Sequence, residues 1–335
     1  MSTTIADIGT LSLESGATLP NAKLAHVTYG RLDQGGRNAI LLTHGYTSSH
    51  LFADGGTGAS EGSWGGLVGA GRAIDTEKYF VVSSNMLGSA FGSTAPRTPN
   101  PRTGRAYGPD FPAITLSDIV GAQRRLLDAL GVRELAAVIG PSYGGFQAFA
   151  WGALYPDFVR AVVPVVTAPA SNSIDVAGLR KRFATDPNWN DGHYYEKGGI
   201  AGTMAALRRE TLLRYGLEAE LAPRIPDKAA RDAEIDRIAG AWAEAFDAHS
   251  LLVLGDAANR FDAWADLPRL TARVLYVLSR SDALFPPSLA PRVMAAMQAG
   301  GVDCRYVEID SDHGHLASGT DFRKWEGALA AFLAG

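Results

Sequence analysis

Short apolar runs recur along the chain, at 23–30 (KLAHVTYG), 38–45 (NAILLTHG), 78–85 (KYFVVSSN), 135–140 (LAAVIG), 160–168 (RAVVPVVTA), 273–280 (RVLYVLSR) and 303–309 (DCRYVEI). Runs of this length without polar alternation predict strands buried on both faces, and therefore a mainly parallel sheet. Between several of them the pattern changes to a helical one. Over 115–131, Leu116, Ile119, Val120, Leu126, Leu127 and Leu130 keep close to a 3.6-residue period, Thr115 and Asp118 form a capping pair, and Gly131 supplies the stop. Strand and helix in alternation predict an α/β architecture, a doubly wound and mostly parallel sheet of about eight strands.

From 170 to 266 strand-like runs vanish, and helical patterns such as 201–215 and 227–255 take over, punctuated by Pro187, Pro223 and Pro226. A helical block between two sheet strands predicts a cap over the C-terminal edge of the sheet, where open α/β folds bind ligands. The expected division is thus a first core segment, 1–169, a helical cap or lid, 170–266, and a second core segment, 267–335. The glycine-rich stretch 55–71 has G-x-G spacing, but it does not open a helix directly after a strand, so a close-packed loop is expected rather than a phosphate cradle.

Bulk properties narrow the function. Apolar residues make up 46% of the chain and charged residues 20%, enough to build a core. A net charge of −4 supplies no electrostatic attraction for nucleic acid or an anionic membrane, and the most apolar windows are too short to span a bilayer. One cysteine, Cys304, rules out an internal disulfide framework and a multi-cysteine metal site. The N-terminus lacks the basic start and apolar run of a signal peptide, so a cytoplasmic protein is expected.

The chemistry concentrates at Gly140-Pro141-Ser142-Tyr143-Gly144-Gly145, a G-x-S-x-G motif between the apolar strand 135–139 and a helical pattern beginning at 145. That strand–turn–helix context is the one a nucleophile elbow requires, and small residues at 140 and 144 let strand and helix approach. A serine hydroxyl needs a base to take its proton and a third group to orient the base. In chains built this way the acid and then the histidine follow the serine in sequence. Asp282, just past the strand 273–280, is the expected acid; Asp310 and Asp312 compete with it but lie close to the histidine pair. The base falls in DHGHLASG, 312–319, where the residues by themselves leave His313 and His315 open. A metal half-site at this pair would need further ligands at suitable spacing, and none appears, so no metal is expected. For the oxyanion, the backbone N–H of Tyr143 and one from the HGYTSSH loop, that of Tyr46, are the expected donors.

Long stretches then point to a family. The segments AIDTEKYFVVSSNMLGSAFGSTAP, NPRTGRAYGPDFPAITLSDIVGAQRRLLDALGV, GPSYGGFQAFAWGALYPDFVRAVV, DPNWNDGHYY and SRSDALFPP resemble the homoserine O-acetyltransferases of the α/β-hydrolase superfamily. The resemblance implies an α/β-hydrolase fold with an inserted cap, Ser142 as nucleophile, Asp282 as acid and His315 as base, since the family's Gly-His pair falls on Gly314-His315. His313 then inherits no role. It further implies that Arg208 and Tyr215 hold the substrate and that two copies pair through their caps as a homodimer; for the triad chemistry itself no cofactor is expected.

One position departs from the pattern. In the transferases an aspartate follows the catalytic histidine and faces the substrate ammonium; here that position is Leu316. Losing one partner of such a charge-assisted pair typically costs about 2–5 kcal/mol, and a loss of about 3 kcal/mol weakens binding roughly a hundredfold. Pro141 and Tyr143 also stand where the transferases usually carry glycine and methionine, and Tyr143 narrows the acyl site. The expectation is therefore a serine ester hydrolase for small-molecule esters with short acyl groups, acetyl esters above all. The alternative is an acyl-CoA-dependent O-acetyltransferase acting on homoserine or a related alcohol.

Overall fold

The computed structural model describes residues 2–54, 63–171 and 173–335. Eight strands build the main sheet: β1 (Thr4–Ser12), β2 (Thr18–Tyr29), β3 (Ala39–Thr43), β4 (Phe80–Ser84), β5 (Leu135–Pro141), β6 (Ala161–Val165), β7 (Arg273–Ser279) and β8 (Cys304–Ile309). Their order is β1-β2-β4-β3-β5-β6-β7-β8. Strands β1 and β2 pair antiparallel, as do β2 and β4, and every pairing from β4 to β8 is parallel.

The seven apolar runs all became strands, whereas β1 had no such signal. Its residues are mostly exposed, and its pairing with β2 shifts register on either side of Gly9, so an edge strand with one solvated side hides from a search for buried runs. In the central strands successive side chains enter opposite layers. Leu41 joins the core under the helix that follows Ser142, while Ile40 and Leu42 join the core on the other face.

Among the helices on the first face are α1 (Leu116–Ala129) and α2 (Tyr143–Leu154), joined there by the helix at Ala290–Ala299. The capping box expected for α1 is present, with the Thr115 hydroxyl accepting from Asp118 N–H and the Asp118 carboxylate accepting from Thr115 N–H. Between β6 and β7 stand the helices α3 (Val176–Ala184), α4 (Ala201–Tyr215), α5 (Leu217–Leu221), α6 (Lys228–Ala245) and α7 (Ala248–Asn259). The continuous pattern over 227–255 is in fact two helices. The chain turns at Phe246 and Asp247, where the Asp247 carboxylate caps α7 by accepting from Ser250 N–H at 3.1 Å. Three more helices finish the chain, α8 (Ala290–Ala299), α9 (Ala317–Thr320) and α10 (Glu326–Ala334).

Of the glycine-rich stretch, 55–62 lies outside the described residues. The rest packs as turns around Trp64 and Leu67 and a short strand pair, Val68–Gly69 with Ile74–Asp75. Among the described residues no helix is long and apolar enough to cross a membrane.

Candidate active site

Ser142 sits between β5 and α2 with φ 56° and ψ −119°, a conformation a non-glycine residue adopts only when its surroundings impose it. The surroundings do so by close approach. A Cβ on Gly140 would lie 2.5 Å from the Thr43 carbonyl oxygen, and one on Gly144 would collide with that same carbonyl. Strand β3 can therefore pass against the turn only because both positions are glycine. Ser142 N–H donates to Val165 O at 2.9 Å, and its carbonyl accepts from the Thr167 hydroxyl at 2.8 Å, so the turn is held on both sides.

Asp282 and His315 come together from the ends of β7 and β8. His315 Nδ1 lies 2.8 Å from Asp282 Oδ2, with both side chains buried. Asp282 Oδ1 accepts from Leu284 N–H at 2.8 Å. Burial pushes the Asp282 carboxyl up, but the His315 charge and hydrogen bond, with the N–H groups of Leu284 and Phe285, outweigh it and hold the carboxyl below its ordinary value. With Nδ1 engaged by the carboxylate, Nε2 is the ring nitrogen on the side away from Asp282, and an imidazole held this way can exchange a proton there. The ring of His315 lies against Tyr215 and Phe285, at centroid distances of 4.9 and 5.8 Å, and both of these line a cavity that Ser142 also lines.

The competing carboxylates are elsewhere. Asp310 and Asp312 are exposed and pair with Arg280 at 2.9 and 2.6 Å. His313 bonds Asp321 at 3.1 Å and is not part of the Asp282 pair.

The cavity, about 580 Å³, lies between the sheet edge and the cap. Tyr143 is the first residue of α2, so its N–H heads the helix at the positive end of the dipole, and Tyr46 follows the end of β3 on the opposite side. Their rings stack, 5.9 Å apart and 8° from parallel. Burial raises both phenols above their ordinary value, so both stay protonated and act as donors. Arg208 of α4 is 2% exposed, donates to the Thr47 hydroxyl at 2.8 Å and stacks over Trp242 at 5.0 Å. Trp242 Nε1–H in turn donates to Thr47 O at 2.9 Å. Arg208 and Tyr215 both line the cavity. Leu316, expected as a substrate contact, is not among its lining residues. It packs in an apolar cluster with Tyr215, Leu212, Leu217, Leu221 and Ile235, because the turn that begins at Gly314 points it into the cap. Within that cluster Tyr215 is the residue that also lines the cavity.

The family model described as alpha/beta hydrolase fold matches residues 38–322. The homoserine O-acetyltransferase of Moorella thermoacetica is 36% identical over 354 aligned positions, which cover 96% of this chain and 93% of that protein. The homoserine O-succinyltransferase of Methylibium petroleiphilum is also 36% identical, covering 97% and 91%. The chain belongs to the homoserine O-acetyltransferase-like family of α/β-hydrolases. Two solved structures resemble it equally well, with a TM-score of 0.87 and 26% identity: esterase E22, covering 99% of each chain, and homoserine O-acetyltransferase from Bacillus anthracis, covering 100% of this chain and 98% of that one. The protein is thus an enzyme of the α/β-hydrolase superfamily, whose relatives include both acyltransferases and an esterase.

Several supports of this site have no mark in the sequence. Thr47 and Trp242 tie Arg208 to the loop that carries Tyr46, and no local pattern marks a tryptophan on a cap helix as a partner of a loop 195 residues earlier. Gln147 was legible in principle. It is a fully buried amide on an otherwise apolar helix, it donates to His44 O at 3.2 Å, and it accepts from Gln123 at 2.7 Å, steadying the loop from below.

Proposed function

We propose that the protein is a serine carboxylic ester hydrolase for short-chain acyl esters, acetyl esters above all. Ser142 Oγ attacks the ester carbonyl while His315 Nε2 takes its proton. Asp282 holds the imidazole in the required tautomer and stabilises its charged form. The oxyanion develops against the N–H groups of Tyr46 and Tyr143, the latter aided by the α2 dipole. Collapse expels the alcohol, which His315 protonates. Water, deprotonated by His315, then attacks the acyl-enzyme, the acid departs, and Ser142 regains its proton.

The observation that supports water as acceptor is the state of the carboxylates in the cavity. Among the described residues two line it, Asp175 and Glu210. Asp175 caps α3 by accepting from Gly178 N–H at 2.8 Å, and both oxygens of Glu210 are held by Arg182 at 2.6 and 2.9 Å. Arg208 and Arg214 line the same cavity. An ammonium such as that of homoserine would meet cations and occupied carboxylates there.

The second reading is an acyl-CoA-dependent O-acetyltransferase for homoserine or a related alcohol. Kinship favours it over the first, since relatives 36% identical over nearly the whole chain are named homoserine O-acetyltransferase and O-succinyltransferase. The two readings share the acyl-enzyme and differ in what intercepts it. Purified protein is assayed with p-nitrophenyl acetate, and separately with acetyl-CoA with and without homoserine. The hydrolase turns over the ester and releases CoA independently of homoserine; CoA release that is fast only with homoserine overturns it in favour of the transferase. Undiminished activity in Ser142→Ala would defeat both.

A further inference from the structure

The stacked pair beside Ser142 hangs from one cap helix. The Tyr46 hydroxyl donates to the Leu251 carbonyl and the Tyr143 hydroxyl to the Leu254 carbonyl at 3.1 Å, two acceptors nearly one turn apart on α7. A carbonyl inside a helix is normally screened by the side chain four residues on, which leans back over it. Here that residue is Gly255. A Cβ built on Gly255 would lie 2.9 Å from the Tyr46 hydroxyl oxygen, inside ordinary contact. Glycine in a helix interior is disfavoured by backbone entropy, so the gap has a use.

We propose that Gly255 is a specificity-determining residue: its missing side chain admits the Tyr46 hydroxyl to α7, and this seating sets how long an acyl chain fits beside Ser142. The inference rests on the reading that Ser142 carries the acyl group, and it holds whichever acceptor intercepts that group. A methyl at 255 displaces the hydroxyl. The Tyr46 ring is stacked against Tyr143 on one side, so the open space it can swing into is the cavity. The acyl site shortens as it does so. Gly255 meets Tyr46 at the phenol hydroxyl, not at the backbone N–H assigned to the oxyanion.

The test is Gly255→Ala, assayed by the alcohol-release burst from p-nitrophenyl acetate and p-nitrophenyl hexanoate, which reports acylation alone. The hexanoyl-to-acetyl ratio of acylation rates is expected to fall about tenfold, the scale on which a pocket discriminates by chain length. A Cβ at 255 would also lie 2.8 Å from Cγ2 of Val176, a buried β-branched side chain with little rotamer freedom, so a distortion of α7 must be told apart from the tyrosine effect. The double variant Gly255→Ala with Tyr46→Phe does this, because deleting the hydroxyl makes room for the methyl. It should recover a ratio within about twofold of Tyr46→Phe alone, the pair showing the coupling expected of residues in direct contact. A Gly255→Ala protein with native melting behaviour and an unchanged ratio overturns the proposal, as does a double variant as impaired in the ratio as Gly255→Ala. Loss of the burst in Ser142→Ala is the separate check on the underlying reading.

Discussion

Replacing Asp282 by asparagine preserves size and removes a charge, and the hydrogen bonds around the side chain decide the consequence. Oδ1 accepts from Leu284 N–H at 2.8 Å and Oδ2 faces His315 Nδ1 at 2.8 Å. An asparagine has one acceptor oxygen and one donor nitrogen. Turned to put its oxygen on His315, it would aim its NH2 at the Leu284 N–H, donor against donor in a buried site. The amide therefore keeps its oxygen on Leu284 and points N–H at Nδ1, which forces the imidazole proton onto Nε2. His315 then has no lone pair for the Ser142 proton. A triad with its histidine in the wrong tautomer loses about 10⁴ in rate, or roughly 5.5 kcal/mol of barrier. The assay is kcat for p-nitrophenyl acetate hydrolysis by Asp282→Asn beside the unaltered protein, with thermal melting to confirm the fold. A loss smaller than about tenfold in a folded variant would refute the tautomer argument and the role given to Asp282.

Three further outcomes are expected. His315→Ala should abolish ester turnover, whereas His313→Ala, which removes only a partly exposed bond to Asp321, should stay within about twofold, as steady-state rates will show. Leu316→Asp places a carboxyl in the apolar cluster around Tyr215, so it should cost about 2–5 kcal/mol in urea unfolding while raising homoserine-dependent release of CoA; a variant with the stability loss and no change in acceptor preference would detach Leu316 from acceptor choice. His44 and His50 are held neutral by burial, each lowered to about 4 from an ordinary 6.5. The unfolded chain binds those protons first, so their stabilisation is fully present above pH ~6.5 and is lost as pH falls toward ~4, on the order of 3 kcal/mol per histidine; urea midpoints should drop across that window.

Much of this molecule was legible along the chain because the relevant physics is local. Seven strands announced themselves as apolar runs, since a strand buried on both faces has no polar side to show. The elbow was legible because Gly140, Ser142 and Gly144 satisfy a steric demand within five residues, and Thr115 and Asp118 cap α1 within one turn. Strand β1 was not legible, because an edge strand pairs through its backbone and leaves its side chains in water. The division of 227–255 into two helices depended on whether Asp247 turned to cap, which periodicity does not encode.

The sequence by itself thus determined the fold class, the nucleophile turn and the candidate acid, and through family resemblance it separated His315 from His313. Only the tertiary structure decided how these meet. It brought Asp282 and His315 within 2.8 Å from two strand ends, and it set Leu316 against the cap rather than the cavity. It also hung Tyr46 from a carbonyl 205 residues away across a gap left by Gly255. Turn geometry and apolar periodicity act between residues a few positions apart and so leave a mark in the sequence. Contacts between the cap and the loop that carries Tyr46 arise when distant segments pack, and the choice among possible partners is made by close packing in three dimensions.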